Sequence, residues 1–351
     1  MKKVLIISKE FYLDLYRPGI DDYVNSRDDL AVDMYCLDNP KINLGLIDGL
    51  KYKFDINDFR RKYYEEQRTE LLKLIEKYDV ILFINLYYDG EFFIQGKLFD
   101  ALRKKHCKLQ FVDSITTFPS PIPFLDIFKE IYVFETQDRD ILENQYKINP
   151  IFVTGGTSYY LYNDIISGEK EKKYDVCFVG NASPKRIDYL NAIAKWCDDN
   201  SKKLIVIGHY WHNNNWINSY LGEKKFKRKY PILYKYVQNK FVDPSIVAAL
   251  YVQSKIVLNI NHVYHKNFNQ RTYDIIYTGA LLMMDKQEIG ESLIVPNRDF
   301  IMCDDESDMV EKIEVYLRYE EKLNEVASNG KRIVEELYLY KHTLSTVFQD
   351  I

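Results

Sequence analysis

The sequence predicts an α/β protein built from two Rossmann-like, doubly wound domains, and three observations predict it. Short apolar runs of strand length alternate with helix-period segments along the chain. The alternation breaks at the charged, apolar-free stretch GEKEKK (168–173) and then starts again. At 351 residues the chain also exceeds what one core usually supports, so two domains are the default.

In the first half, Val4 to Ile7 and Ala31 to Leu37 have the continuous apolar character of buried parallel strands. Between them YLDLYRPGIDDY carries Pro18 and Gly19, which predicts a loop at the carboxyl end of the first strand. Asn57 to Tyr78 has apolar residues at helical spacing (Phe59, Tyr63, Leu71, Leu72, Ile75) and leads into the strand DVILFINL. Phe92 to Lys105 reads as a helix and Leu109 to Val112 as a strand ending at Asp113. Ile131 to Phe134 is a further strand and Gln137 to Tyr146 a further helix. Such alternation implies βαβ units and a mostly parallel sheet.

In the second half, YDVCFVG (174–180) is a strand ending in Gly180, and Ser183 with Pro184 can start a helix that runs to about Asp199. KLIVIG gives the next strand, ending at Gly208. Ile256 to Ile260, a polar loop, a helix capped by Asn269 and closed by Gly279, and Ala280 to Met284 form another strand-helix-strand unit. Amphipathic helices follow from Asp308 to Tyr319 and on to about Leu337, and YKHTLSTVFQDI closes the chain as a helix. The domains are expected at 1–167 and 174–335, with 336–351 a C-terminal helix able to return to the first domain.

Hydrophobic residues make up 46% and charged residues 28%, which excludes disorder. A net charge of −4 gives no broad basic field, so nucleic acid is not an expected partner. Cys36, Cys107, Cys177, Cys197 and Cys303 lack metal-ligand spacing and read as small buried hydrophobes in a reducing compartment. MKKVLIISKE has only four consecutive apolar residues, too few for a signal-peptide core, and no stretch is apolar for long enough to span a bilayer. A cytoplasmic protein is expected.

Helices that follow strands in parallel sheets aim their N-terminal N–H groups at the carboxyl edge of the sheet. There Gly180 lets backbone approach a ligand while Lys185 and Arg186 add charge at the first helical turn, which suits a diphosphate. Arg271 and Asp274 lie three apart and share a helix face, adding a cation and an anion at that edge; alone they could equally be a solvated pair. His209 and His212 lie at i, i+3 in HYWHNNNW, but no third ligand follows at useful spacing, so a loop beside a ligand site fits better than a metal site. From Glu223 to Phe241, Lys224, Lys225, Lys227, Arg228, Lys229, Lys235 and Lys240 stand against one acid. A solvated basic face is the plainer reading of that run; contact with an anionic membrane surface or a phosphorylated acceptor is the other.

The ordered set YDVCFVGNASPKR, IVIG, SKIVLNINH, RTYDIIYTGALLMMD, VEKIEVYL and His342 resembles the C-terminal domain of GT-B glycosyltransferases, in particular the CgeB-like, spore-maturation type group of the glycosyltransferase-4-like superfamily. The resemblance spans roughly residues 174 to 345, and it implies two Rossmann-like domains facing a cleft. It further implies a nucleotide-sugar donor held by the C-terminal domain, with Gly180, Lys185, Arg186, Gly208, His209, Asn269, Arg271, Asp274 and Gly279 as the expected donor-binding residues. Asp274 stands where the family has Glu, a carboxylate that accepts from both ribose hydroxyls, and Lys185, Arg186 and Arg271 would neutralise the diphosphate, so no metal or other cofactor is expected. Many retaining members carry an acid eight residues earlier; here that position is Lys266.

The resemblance assigns the acceptor, whether glycan, lipid-linked or protein, to the N-terminal domain. Asp14, Asp89, Glu91 and Asp113 stand near its strand ends, and Asp113 and Asp14 are the candidate general bases, although acids that end strands also cap helices. A glycosyltransferase is the leading reading. A nucleotide-sugar 2-epimerase, a non-catalytic nucleotide-sugar-binding partner subunit and a two-lobed ligand-binding protein are the alternatives.

Overall fold

The computed structural model describes residues 1–37, 56–86, 94–168, 171–212, 216–261, 267–289 and 292–351. It divides into two compact units, one made of Met1–Thr154 with Thr343–Ile351 and the other of Gly155–His342.

The first unit runs β1 (Lys2–Ser8), α1 (Glu10–Asn25), β2 (Leu30–Cys36), α2 (Ile56–Ile75), β3 (Val80–Ile84), α3 (Gly96–Leu102), β4 (His106–Gln110), β5 (Phe128–Val133), α4 (Thr136–Tyr146) and β6 (Ile151–Phe152). Its sheet has the order β2-β1-β3-β4-β5-β6 and every pairing is parallel. The central strands are buried on both faces, which is why VLII and VILFI read as unbroken apolar runs.

Two expectations for this unit are corrected. The supposed loop after β1 is the helix α1, with Pro18 inside it. Tyr12, Leu13, Tyr16 and Ile20 form its buried stripe, and that burial outweighs the one backbone hydrogen bond a proline removes. Strand β4 starts at His106, three residues before the apolar run, because Lys108 sits fully buried in its middle. The Lys108 ammonium pairs with Glu130 at 2.8 Å and donates to the Val347 carbonyl at 3.0 Å and the Tyr132 hydroxyl at 3.2 Å. It thereby ties the C-terminal segment to the sheet. Lys108→Met should lower the unfolding free energy by about 2 kcal/mol, less than for a bare buried charge because Glu130 keeps His106 and Tyr132 as partners. Urea denaturation measures it.

The second unit contains α5 (Asn163–Gly168), β7 (Tyr174–Val179), α6 (Pro184–Asp199), β8 (Leu204–Gly208), α7 (Trp216–Lys229), α8 (Pro231–Tyr234), β9 (Val237–Asn239), α9 (Pro244–Val252), β10 (Ser254–Asn259), α10 (Gln270–Tyr277), β11 (Leu281–Asp285), β12 (Ile301–Cys303), α11 (Glu306–Arg318) and α12 (Glu320–Leu337). The C-terminal helix α13 (Tyr340–Val347) belongs to the first unit from Thr343 onward. The sheet order is β12-β11-β10-β7-β8-β9, again all parallel. One apolar layer gathers around Phe178, Leu190 and Met283, and another, on Tyr251, Ile275 and Met284, covers the opposite face.

Residues 155–167, expected to end the first domain, belong to this unit: Tyr159 stacks on Tyr251 at 6.2 Å, and Thr157 N–H donates to the Tyr338 carbonyl at 2.9 Å. The boundary therefore falls before GEKEKK. Strands β9 and β12 are three residues long and stand at the sheet edges, too short to show as apolar runs.

Candidate functional site

In the second unit the chain order along the sheet reverses between β7 and β10, and ligands of open α/β sheets bind outside the carboxyl ends of such a strand pair. Gly180 follows β7 and Gly208 ends β8. A Cβ on Gly208 would stand 1.9 Å from the Gly180 carbonyl oxygen, so these turns meet as bare backbone. They are further joined by Ala182 N–H to the His209 carbonyl (2.9 Å), His209 N–H to Asn181 Oδ1 (3.2 Å) and Trp211 Nε1–H to the Gly180 carbonyl (3.2 Å). Ser183 caps α6 by accepting from Arg186 N–H, as its local sequence predicts.

Arg186 is buried at this edge. Its Nε donates to the Ile260 carbonyl and its Nη1 to the Asn181 carbonyl, both at 2.8 Å, so one guanidinium bridges the ends of β7 and β10. Arg271, on the first turn of α10, donates through Nη1 to Asn259 Oδ1 at 3.3 Å and also meets the Tyr251 hydroxyl. Its Nη2 lies 3.4 Å from where a Cβ on Gly180 would be. Burial first, and then the charge of Arg271, lower the Arg186 pKa to about 9. Two cations that repel one another at one sheet edge create a potential that an anion would relieve.

Three asparagines join them. Asn269 caps α10, accepting from Thr272 N–H at 3.3 Å and Asn259 Nδ2 at 3.0 Å, and donates through Nδ2 to Asn261 Oδ1. Asn261 is fully buried, yet its Nδ2 has no partner among the described residues. A buried donor left unmatched is costly, so it marks a position suited to an acceptor oxygen. Asn259 and Asn261 were not singled out from sequence. Their signal was the polar tail of the apolar run, NINH.

Other expected residues need correction. Lys185 does not offer a free ammonium: it pairs with Asp285 at the end of β11, which is 1% exposed and also accepts from Asn261 N–H (2.7 Å) and Gln287 Nε2 (2.9 Å). Asp274 is 7% exposed and is no solvated partner of Arg271. Its Oδ1 accepts from Thr157 Oγ1 at 2.6 Å, while Oδ2 has no hydrogen bond among the described residues. One oxygen rather than two is thus left for a ligand to engage. Burial raises the Asp274 pKa to about 7, against the opposing pull of Thr157 and Arg271. Gly279 lies at the far end of α10, ahead of the amino end of β11, where its φ of 77° makes the turn; it is not at the site.

His209 stacks on Phe241 at 6.0 Å beside the site. Lys224, Lys225, Lys227, Arg228 and Lys229 are exposed on α7. In the first unit Asp113 follows β4 and accepts from the Tyr12 hydroxyl at 2.5 Å and Asn85 Nδ2 at 3.1 Å. Asn85 has a left-handed φ of 47°, a backbone state that Asn tolerates and that often accompanies function. Asp14 is exposed on α1, two positions from the buried Tyr12 and so on the opposite side of the helix from the Asp113 contact. Asp89, Glu91 and Lys266 lie outside the described residues. Among the described residues no group of three or more His, Cys, Asp or Glu could hold a metal ion.

Two six-stranded parallel α/β units, the second carrying an anion-suited edge at its switch point, define the fold of the GT-B proteins. Residues 188–349 match the model of the family described as Glycosyl transferase-like. The chain is similar in structure to Anabaena Alr3699/HepE in complex with UDP-glucose, with a TM-score of 0.66 and 11% identity over 99% of this chain and 100% of that one. It is similar to the sucrose-phosphate synthase (tll1590) of Thermosynechococcus elongatus, with a TM-score of 0.65 and 11% identity over 99% and 98%. A protein of Listeria monocytogenes assigned as a UDP-N-acetylglucosamine 2-epimerase gives a TM-score of 0.58 and 9% identity over 100% and 98%. A comparison with curated protein sequences found no match.

Proposed function

We propose that the chain is a glycosyltransferase that takes a sugar from a nucleotide-diphosphate sugar and passes it, without a metal ion, to a hydroxyl of a glycan, lipid-linked or protein acceptor. The observation that carries this reading is the pair Arg186 and Arg271 at the switch point, beside the unmatched Asn261 donor. The match of residues 188–349 to the Glycosyl transferase-like model and the UDP-glucose bound by the Anabaena neighbour support it.

In the reaction the bond between the sugar's anomeric carbon and the phosphate oxygen breaks, and the diphosphate leaves with one more negative charge. Guanidinium groups already held in position stabilise that charge without having to reorient. Asp274 offers Oδ2 to one ribose hydroxyl while Thr157 fixes Oδ1. The acceptor hydroxyl gives its proton to a base, for which Asp113, oriented by Tyr12 and Asn85, is the candidate.

Asp274→Asn tests the donor half of this reading through two signs at once. Asp274 ionises at 3.8 in the unfolded chain and at about 7 in the folded one. Its contribution to stability is therefore full below the first value and is lost as pH rises through the second. The variant should lose less stability than wild type across that window, yet give little thermal stabilisation by UDP, GDP, CMP, TDP or ADP. Undiminished nucleotide stabilisation would remove Asp274 from the ribose. Wild-type protein that no nucleotide stabilises would overturn the transferase reading. The Listeria likeness favours an epimerase as the second reading, which predicts turnover of UDP-N-acetylglucosamine with no acceptor present.

A further inference from the structure

We propose that the outer face of α7 is a docking surface for an anionic lipid bilayer, an inference independent of the donor reading. Residues 216–235, which span α7 and α8, hold six lysines or arginines and a single acid in a chain of net charge −4. That acid, Glu223, accepts from the Tyr234 hydroxyl, and of the six cations Lys235 pairs with Asp198 at 2.8 Å. Phe226 fixes how the helix is rotated: it is buried, with its ring 6.4 Å from Trp211 and 5.3 Å from Tyr230.

Away from Phe226, Leu221, Lys224, Lys225 and Arg228 fall at i, i+3, i+4 and i+7 and share one face. All four are exposed, Leu221 at 61%. Lys225 and Arg228 make no ion pair among the described residues. At the flank Lys227 and Lys229 lie over the rings of Tyr234 (5.1 Å) and Tyr230 (5.0 Å), which holds their charge beside the same surface.

An exposed leucine with cations on the next two turns of the same face matches the two layers of a charged membrane surface: the cations meet headgroup phosphates and the leucine enters the acyl boundary. A soluble polyanion would engage the cations but gain nothing from the leucine. Among the described residues no helix is long and apolar enough to cross a membrane, so the contact is with the surface.

Co-sedimentation of the full chain with vesicles of phosphatidylcholine alone, or mixed with phosphatidylglycerol, tests the proposal. Wild type is expected to pellet only with the mixed vesicles and to be released by salt. Charge reversal in the double variant Lys225→Glu, Arg228→Glu should weaken partition by roughly thirtyfold or more, taking about 1 kcal/mol for each cation lost. Leu221→Ser should weaken it severalfold while leaving the salt dependence in place. These residues are exposed, so thermal midpoints should stay at wild type; should the double variant unfold, Lys225→Gln reads the same direction with a smaller effect. Equal binding to neutral vesicles, or none to mixed ones, overturns the proposal. So does full vesicle binding by Leu221→Ser together with release by inorganic polyphosphate, which would assign the face to a soluble polyanion.

Discussion

Gly208→Ala is expected to destabilise the second unit by about 3 kcal/mol or more, the largest stability change anticipated for this protein. The added methyl would stand 1.9 Å from the Gly180 carbonyl oxygen and 2.4 Å from its carbon, and both are backbone atoms that cannot rotate away. Relief requires β7 and β8 to separate at their carboxyl ends, which breaks Ala182 N–H to His209 O and Trp211 Nε1–H to Gly180 O. Urea denaturation should show an earlier midpoint, and nucleotide stabilisation should fall with it because the same turn shapes the candidate site. A midpoint equal to wild type would mean that the turns have room to part.

Arg186→Met and Arg271→Met are each expected to weaken nucleoside-diphosphate binding about a hundredfold, the loss of roughly 3 kcal/mol in charge-assisted hydrogen bonds. The two variants should differ in a second respect. Arg186 also holds the Ile260 and Asn181 carbonyls, so its loss should lower stability, whereas among the described residues Arg271 meets the side chains of Asn259 and Tyr251 and its loss should leave the midpoint nearer to wild type. Arg186→Lys should recover little, because an ammonium on a flexible stem cannot reproduce a planar fork that spans two strands. Titration calorimetry with UDP at low and high salt measures both affinities. Wild-type affinity in both variants would remove the phosphates from this edge.

The strands were legible because burial on both faces writes itself as an unbroken apolar run, as in VILFI, LIVIG and LLMM. The caps Ser183 and Asn269 were legible because a capping side chain bonds to N–H groups within three residues. Helix α1 misled through Pro18 and Gly19, since local propensity was overruled by a stripe of packed tyrosine, leucine and isoleucine. Strand β4 was clipped for the opposite reason: its lysine looks exposed until the carboxylate across the sheet is known.

The candidate site divides along the same line. Gly180, Arg186, Asn269 and Arg271 lie where the alternation of strand and helix put them, at carboxyl ends and first turns. Other pairings came from elsewhere in the chain: at the site Thr157 lies 117 residues from Asp274 and Asp285 100 from Lys185, and in the first unit Val347 lies 239 from Lys108. The amino-acid sequence by itself determined the α/β class, the order of elements and the helix starts, because periodicity and capping act over a few neighbouring residues. Only the tertiary structure decided which charges are paired, which oxygen of Asp274 Thr157 holds and how strongly each group holds its proton. Those depend on desolvation and on side chains brought together from distant parts of the chain.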